Sequence, residues 1–373
     1  MNTFTLLDTI ALALAAIHFG TPLIYYHYIK NRYLNKPWDI KINSDYKPMI
    51  TIIVPTYNEA KLIEKKLDNI YEQNYPRNRL EIIVVDSAST DGTPKLVKKW
   101  AEKHPDINLN LVVEDERRGK AYALNLALKY ATGKIVVVTD ADSLWPDRET
   151  LRKAVKWFSD SSIGAVSCLK KPVGSEVRGV EKSYRRYYNV LRVAESKAFA
   201  TPIFHGELAV FRRNLLEKLG GFPKDIGADD SYTATRIALM GYRAIVPEDL
   251  WAEELVPSKS YFWWRIRRAQ HLIQSFMKVI MLKAKPSKEF KIVFGIEAFL
   301  HLLNPWFLFI ALFLLNMSLL VMNSLTAILL ISLGLMLLSI EQYRTWITTQ
   351  LILMVASVRN MLSKELAWSK VQK

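Results

Sequence analysis

The apolar residues of this chain fall into two kinds of run. Short runs rich in β-branched residues recur at Met49–Val54, Leu80–Val85, Leu109–Val113, Lys134–Thr139 and Gly164–Leu169. Longer amphipathic segments, such as Glu59–Gln73 and Thr93–Lys103, lie between them. Strand, helix, strand at this spacing predicts an α/β fold with a mostly parallel sheet covered on both faces. The second kind of run is long and almost chargeless. Phe4 to Ile29 carries one charge, Asp8, and Ala298 to Ile340 contains no Asp, Glu, Lys or Arg. A bilayer core of ~30 Å needs about 20 helical residues per crossing. The first run therefore predicts one transmembrane helix. The second predicts a helical hairpin turning near Asn316–Ser324, its first arm kinked by Pro305. The uncharged stretch Thr345–Val358 is shorter and reads as an interfacial or re-entrant segment, or as a third span.

Charge supplies the orientation. Lys30, Arg32 and Lys36 follow the first run, Lys283, Lys285, Lys288 and Lys291 precede the hairpin, and Arg344 follows it. Positive-inside logic puts the N-terminus outside and the large central domain in the cytoplasm of an integral protein of the cell membrane. A cleaved signal peptide fits poorly, because the basic leading region is missing and the apolar run is too long. The expected organisation is an anchor over 1–30, a cytoplasmic α/β domain over 48–256, and an amphipathic interface region over 257–291. A transmembrane hairpin over 292–340 follows, then an interfacial or third transmembrane segment with a basic tail over 341–373. The tail's basic residues are Arg359, Lys364, Lys370 and Lys373. Fifty-one Lys plus Arg against 36 Asp plus Glu leave a net charge of +15, which calls for an anionic partner. The single cysteine, Cys168, excludes an intramolecular disulfide framework and a cysteine-built zinc site, and reads as a small buried strand residue.

Parallel sheets bind ligands beyond the carboxyl ends of their strands, and polar residues stand there. Pro55-Thr56-Tyr57-Asn58-Glu59 follows the first strand, Asp86 to Gly92 the second, and Asp140-Ala141-Asp142 a later one. No G-x-G-x-x-G follows the first strand, and Gly119-Lys120 lacks the rest of a Walker A loop. Residues i and i+2 of an extended chain point the same way, so Asp140 and Asp142 can converge on a hard divalent cation that bridges to phosphates. Asp86 stands too early to cap the helix from Thr93 and is placed to meet a base or ribose, while Ser89, Thr90 or Asp91 does the capping. Glu59 is either a nucleoside ligand or a first-turn acid complementing a helix dipole. Arg117-Arg118-Gly119-Lys120 precedes a helix (Ala121–Tyr130), where a basic cluster is unfavourable unless an anion such as a diphosphate is bound. Asp229 also reads as an N-cap for a helix over Tyr232–Met240.

In combination these motifs resemble the inverting glycosyltransferases of family 2, which have the GT-A nucleotide-sugar fold. The matching residues are Pro55 to Glu59, Asp86 to Thr93, Gly119-Lys120-Ala121-Tyr122-Ala123-Leu124-Asn125 and Thr139 to Asp142. They continue with Gly206, Phe211-Arg212-Arg213, Gly220-Gly221-Phe222, Ala228-Asp229-Asp230, Gly241-Tyr242-Arg243 and Arg265-Ile266-Arg267-Arg268. The flanking apolar runs are most similar to those of the membrane-integrated synthases of cellulose, chitin, hyaluronan and ceramide glucoside. The resemblance implies that Thr56, Tyr57, Glu59 and Asp86 hold the nucleoside, and that Lys120 and Asp140 contact the diphosphate. It makes Asp142, with Asp140, the ligands of Mn²⁺ or Mg²⁺, and Asp230 the general base. Arg265 and Arg268 match the first and fourth places of a [Q/R]-x-x-R-W motif that closes over the diphosphate. Ala269 stands where that motif has Trp, a departure that bears on acceptor binding. His205, Gly206, Glu207 and Asp229 fall where relatives line the acceptor site.

The implied reaction moves a sugar from a nucleotide diphosphate sugar, a UDP-sugar ahead of a GDP-sugar, to a hydroxyl of a lipid or lipid-linked glycan, forming a β-glycoside. A polyprenyl phosphate is already an anion and needs no base, so the presence of Asp230 favours a hydroxyl acceptor. The rival readings are a processive polysaccharide synthase, a polyprenyl-phosphate glycosyltransferase and a non-catalytic membrane scaffold. Glu176–Phe199 and Lys259–Lys285 mix basic and aromatic residues in a way that suits an anionic lipid surface rather than nucleic acid, although Arg265, Arg267 and Arg268 could then form a lipid-facing stripe.

Overall fold

A computed structural model describes residues 4–174, 179–257 and 260–363. Glu176 to Arg178, Lys259 and the tail residues Lys364, Lys370 and Lys373 lie outside the described residues. The chain enters through α1 (Leu6–Ile29), which continues as a wider helical turn over Lys30–Leu34. The central domain then runs β1 (Ile50–Thr56), α2 (Ile63–Tyr71), β2 (Leu80–Ser87), α3 (Thr93–Lys103), β3 (Asn108–Glu114), α4 (Lys120–Leu128) and β4 (Ile135–Val138). It continues through β5 (Ser143–Leu144), α5 (Thr150–Val155), β6 (Ile163–Ser167), β7 (Leu169–Val173), α6 (Gly179–Ala198) and β8 (Ala209–Arg212). The domain closes with α7 (Arg213–Leu219), α8 (Asp229–Leu239), β9 (Arg243–Ile245) and β10 (Trp251–Leu255). Among the described residues five helices follow: α9 (Tyr261–Ile280), α10 (Lys288–Leu302), α11 (Asn304–Met322), α12 (Leu325–Leu337) and α13 (Glu341–Leu362).

The larger sheet has the order β3-β2-β1-β4-β8-β6-β9, parallel except for β8, which runs against both neighbours. A smaller sheet, β5-β10-β7, stands beside it. Alternate residues of β1 feed opposite cores: Ile52 and Val54 join Leu67 and Trp100 on one face, and Ile53 joins Ala123, Leu124 and Phe211 on the other. Burial on both faces is why these strands read as continuous apolar runs rather than as alternations. Register then gathers the polar ends. Thr56 lies opposite Asp86, and Ile53 opposite Val138, so Asp140 emerges beside the end of β1.

Several expected boundaries move, each for a local reason. The helix expected over Glu59–Gln73 starts only at Ile63, because the backbone N–H groups of Asn58, Glu59 and Ala60 donate to Ser89, Thr93 and Asp91 on the neighbouring loop (2.7, 2.9 and 3.0 Å). The strand expected over Gly164–Leu169 divides at Cys168, where the chain leaves the large sheet for the small one. Helix α8 begins at Asp229, so that residue lies inside the first turn rather than capping it. Pro305 does not kink an interior turn. It occupies the first turn of α11, where its missing N–H costs nothing.

Among the described residues, two helical stretches are long and apolar enough to cross a membrane, Leu6–Leu34 and Asn304–Met322. They run antiparallel. Thr5 meets Ser318 at one end (2.8 Å), and thirteen positions along, His18 Nδ1 meets the Asn304 carbonyl (2.9 Å). Asp8, the one charge of the first run, accepts from Thr5 and from Ser324 in the turn between α11 and α12 (2.7 Å). The expected second arm falls on α12 and α13, a bent pair that together makes one broken span or a re-entrant loop. Helix α12 has 13 residues, roughly 20 Å at 1.5 Å per residue, and α13 turns away from it by 105°. The uncharged stretch Thr345–Val358 lies in α13, where Ile352, Leu353 and Ala356 pack on Ile266 and Ile273 of α9.

Candidate active site

One cleft of about 760 Å³ collects the loops at the carboxyl edge of the sheet and is closed on its other side by α6, α9 and α13. That volume is in the range that holds a small organic ligand or cofactor. At the sheet end, Tyr57 lies beneath the Arg117 guanidinium, 3.8 Å from the ring centroid, an arrangement suited to a flat heteroaromatic ring and an anion side by side. Thr56 donates to Asp86 (3.1 Å).

The centre of the cleft is built on Lys120, the first residue of α4. Its ammonium lies 2.8 Å from Asp140 and 3.6 Å from Asp229. Burial alone would depress its pKa, but the carboxylates of Asp140, Asp229 and Asp230 outweigh that and hold it charged. Gly119 before it has φ of 110°, a conformation that glycine adopts freely, and this lets α4 start directly against the cleft. The Asp140 N–H donates to the Gly206 carbonyl (3.1 Å). A Cβ on Gly206 would stand 2.8 Å from Lys120 Nζ and 2.9 Å from Asp140 Oδ2, so the glycine keeps this corner open.

Asp229 and Asp230 open α8, and both line the cleft. Burial first, and then the adjacent Asp229 charge, push Asp230 up to about 7, against the lowering effect of Lys120 and a hydrogen bond from the Ser231 N–H (2.7 Å). Burial also raises Asp229. A carboxylate poised near neutrality, in the same cleft as a fixed ammonium, is suited to accepting a proton while negative charge is bound at that ammonium.

Of the residues expected at the site, Thr56, Tyr57, Glu59, Lys120, Asp140, Asp142, His205, Gly206, Glu207, Asp229, Asp230, Arg265 and Arg268 all line this cleft. Asp86 does not. It is fully buried, and its carboxylate holds the turn that follows β2, accepting from the Ser89 N–H (2.9 Å) and hydroxyl (2.6 Å) as well as from Thr56. Ser87 and Asp91 form the polar wall there instead. The arginines reach the cleft with their charge already engaged. Arg265 pairs with buried Glu181 (2.8 Å) beneath Tyr184, and Arg268 pairs with buried Glu254. His205 is pushed well below its ordinary value by burial and by the charges of Lys170, Arg185 and Arg268, so it stands neutral.

Sequence reasoning missed the ionic floor of the cleft. Lys170 on β7 bridges Glu207 (2.7 Å) and Glu254 (2.9 Å), and Arg185 on α6 joins Glu254 (2.7 Å) to Glu181 (2.8 Å). A signal was present for Glu254, which shares a strand face with buried Ala252 two residues before it. It also missed Lys66, a fully buried ammonium on α2 that donates to the Ser143 carbonyl (2.9 Å) just past Asp142 and is drawn down to about 7 by burial.

Among the described residues, no group of three or more His, Cys, Asp or Glu could enclose a metal alone. Asp140 and Asp142 do fit an ion that takes one or two carboxylates and completes its shell with substrate phosphate and water. The open corner beside Gly206 leaves space there.

Comparison with known proteins places these features. The sequence profile described as Glycosyl transferase family 2 matches residues 51–220. The solved mannosyltransferase PcManGT from Pyrobaculum calidifontis, in complex with GDP-Man and Mn2+, is 58% identical and superposes with a TM-score of 0.88 over 95% of this chain and 99% of that one. Glycosyltransferase AglE of Haloferax volcanii is 27% identical over 204 residues, 54% of this chain and 66% of the relative. The poly-beta-1,6-N-acetyl-D-glucosamine synthase of Staphylococcus aureus is 27% identical over 284 residues, 73% of this chain and 67% of the relative. The chain therefore spans about two thirds of the length of these two curated relatives.

Proposed function

Because the chain belongs to glycosyl transferase family 2, we propose that it transfers mannose from GDP-mannose to a hydroxyl of a lipid or lipid-linked glycan, with inversion at the anomeric carbon. The observation that carries this reading is the pairing, across one cleft, of Asp230 near neutrality with the Lys120–Asp140 corner. Sequence reasoning ranked UDP ahead of GDP. The donor moves to GDP-mannose because a protein 58% identical over 95% of this chain is known with it.

Asp230 accepts the acceptor's proton as its oxygen attacks, and Lys120 neutralises the diphosphate that leaves on the other side. Asp140 and Asp142 would hold Mn²⁺ or Mg²⁺, which supplies further charge neutralisation of the leaving diphosphate. Tyr57 and Arg117 flank the nucleoside end. Attack opposite the leaving group is a single displacement, so an α-linked donor gives a β-glycoside. No covalent enzyme nucleophile takes part.

The acceptor enters from the side of α6, α9 and α13, where Tyr184, Trp264, Ala269, Ile352 and Leu353 give the cleft an apolar wall. Such a wall, next to spans α1 and α11, suits an amphipathic acceptor held in a membrane. Positive-inside logic keeps the cleft cytoplasmic and the N-terminus outside. The synthase reading is weaker, because Ala269 leaves no aromatic platform at its position for a growing chain.

The test is release of nucleoside diphosphate by the purified full chain from a panel of GDP- and UDP-sugars, with Mn²⁺ and then with chelator, beside Asp230→Asn. Release from GDP-mannose that requires metal and Asp230 supports the proposal. Release only from a UDP-sugar overturns the donor, and silence across the panel with membrane lipids supplied overturns the reaction.

A further inference from the structure

The loop that carries Asp230 is fastened to α9 by a series of contacts. Lys278 of α9 pairs with Asp225, and its ammonium also lies 4.8 Å from the Tyr232 ring centroid. Val279 packs with Ile226 and Tyr232. Gln274 accepts the Gly227 N–H (3.1 Å). The His271 ring lies flush against Gly227: a Cβ built there would fall 2.3 Å from Cδ2 and Nε2 and 2.4 Å from Cε1. Gly227 lies outside the left-handed region, so the imidazole, and not the backbone conformation, is what demands glycine at this position. Helix α9 is fastened in turn to α13, through Gln274 to Asn360 (2.9 Å), Gln270 to the Ser363 carbonyl, and the packing of Ile266 and Ile273 on Ile352 and Leu353.

From this geometry we infer that His271 and Gln274 are positioning residues: α9 grips Gly227 and so sets where Asp230 stands in the cleft, three residues on. The inference rests on the reading of Asp230 as the base. It goes further in making the placement of that base a property of the α9–α13 pair. The Lys120–Asp140–Asp142 corner, by contrast, is placed by the sheet. The two sides of the site are therefore separable: a change confined to His271 or Gln274 moves the proton acceptor and leaves the Lys120–Asp140–Asp142 corner in place.

The experiment uses the purified full chain in dodecyl maltoside micelles, whose sugar hydroxyls and water serve as acceptors. The donor is whichever nucleotide sugar gives the largest Asp230-dependent release in the panel. His271→Ala is expected to lower kcat about tenfold or more, since a displacement of about 1 Å in a catalytic group can cost a hundredfold. The KM for donor and the affinity for the nucleoside diphosphate with Mn²⁺ should stay within about twofold. Gly227→Ala alone is expected to lower kcat at least as much, because its methyl meets the ring. In the His271→Ala background the same methyl has room and should cost less than about twofold, a non-additivity that residues in contact show. If Gly227→Ala alone does not fold, its recovery by His271→Ala is the same signature. Unchanged kcat in His271→Ala, additive losses in the double variant, or nucleotide affinity falling in step with kcat would each overturn the inference. Full activity in Asp230→Asn would instead overturn the reading on which it rests.

Discussion

Replacing Asp229 with Asn should shift the pH dependence of the reaction without abolishing it. The substitution removes the like charge beside Asp230 and the more distant of two carboxylate partners of Lys120, at 3.6 Å against 2.8 Å for Asp140. Both losses act in one direction. The ionised Asp230 is repelled less and meets a less neutralised ammonium, so its pKa falls from about 7. Two unit charges 4 Å apart interact by about 4 kcal/mol at an effective dielectric near 20. Consecutive side chains diverge on a helix, so roughly half of that, ~2 kcal/mol or about 1.5 pH units, is the scale of the change. Burial remains the first cause of the elevation, so the value does not return to that of a free aspartate. The assay is kcat/KM from diphosphate release between about pH 5 and 9, each profile normalised to its own plateau, since this ratio titrates the free enzyme. The wild-type profile should rise through pH 7 to a plateau above it, and the Asp229→Asn profile should rise near pH 5.5. At pH 6 the wild type then works at about a tenth of its plateau, while the variant retains most of its own. A rise that stays at pH 7, or moves upward, would refute the electrostatic account of Asp230.

Asp230→Asn should remove transfer and also stabilise the fold at alkaline pH. An acid whose folded pKa is raised holds its proton better in the native state, so stability falls as pH rises from about 4 through 7; by about pH 8 the variant should gain of order 2 kcal/mol over the wild type, a difference that vanishes near pH 4 in paired melting curves. Gly206→Ala should leave the melting temperature within a few degrees yet cut diphosphate release about tenfold or more, because its methyl would occupy the corner between Lys120 and Asp140. Arg265→Ala should destabilise by about 1–3 kcal/mol in denaturant titrations, since buried Glu181 loses one of its two arginine partners and keeps Arg185.

Much of the scaffold was legible in the chain itself. Thr93–Lys103 was expected as a helix and is α3 from end to end. The runs at Met49, Leu80, Leu109 and Lys134 mark β1 to β4; β1, β2 and β4 are buried on both faces and so apolar nearly throughout, while β3 is a half-exposed edge strand. Thirteen of the residues singled out by motif line one cleft; Thr56, Tyr57, Glu59, Lys120, Asp140 and Asp142 reach it because parallel strands in register deliver their carboxyl ends to one edge. The errors fall where a distant partner decides. The start of α2 depends on side chains some thirty residues later, and the end of the second membrane arm depends on α13 finding a place against α9.

The sequence by itself determined the alternation of strands and helices, the edge of the sheet at which the chemistry collects, and the two long apolar helices. Each of these is written in a local period or run length. Only the tertiary structure decided which charges are available for that chemistry. It buries Asp86 under a turn, engages Arg265 and Arg268 with Glu181 and Glu254, and lifts Asp230 to about 7 chiefly by burial, which also strengthens the repulsion from its neighbour Asp229. It also hands the loop before Asp230 to α9. Desolvation and ion pairing depend on what surrounds a group in space, and those neighbours come from segments that no local pattern connects.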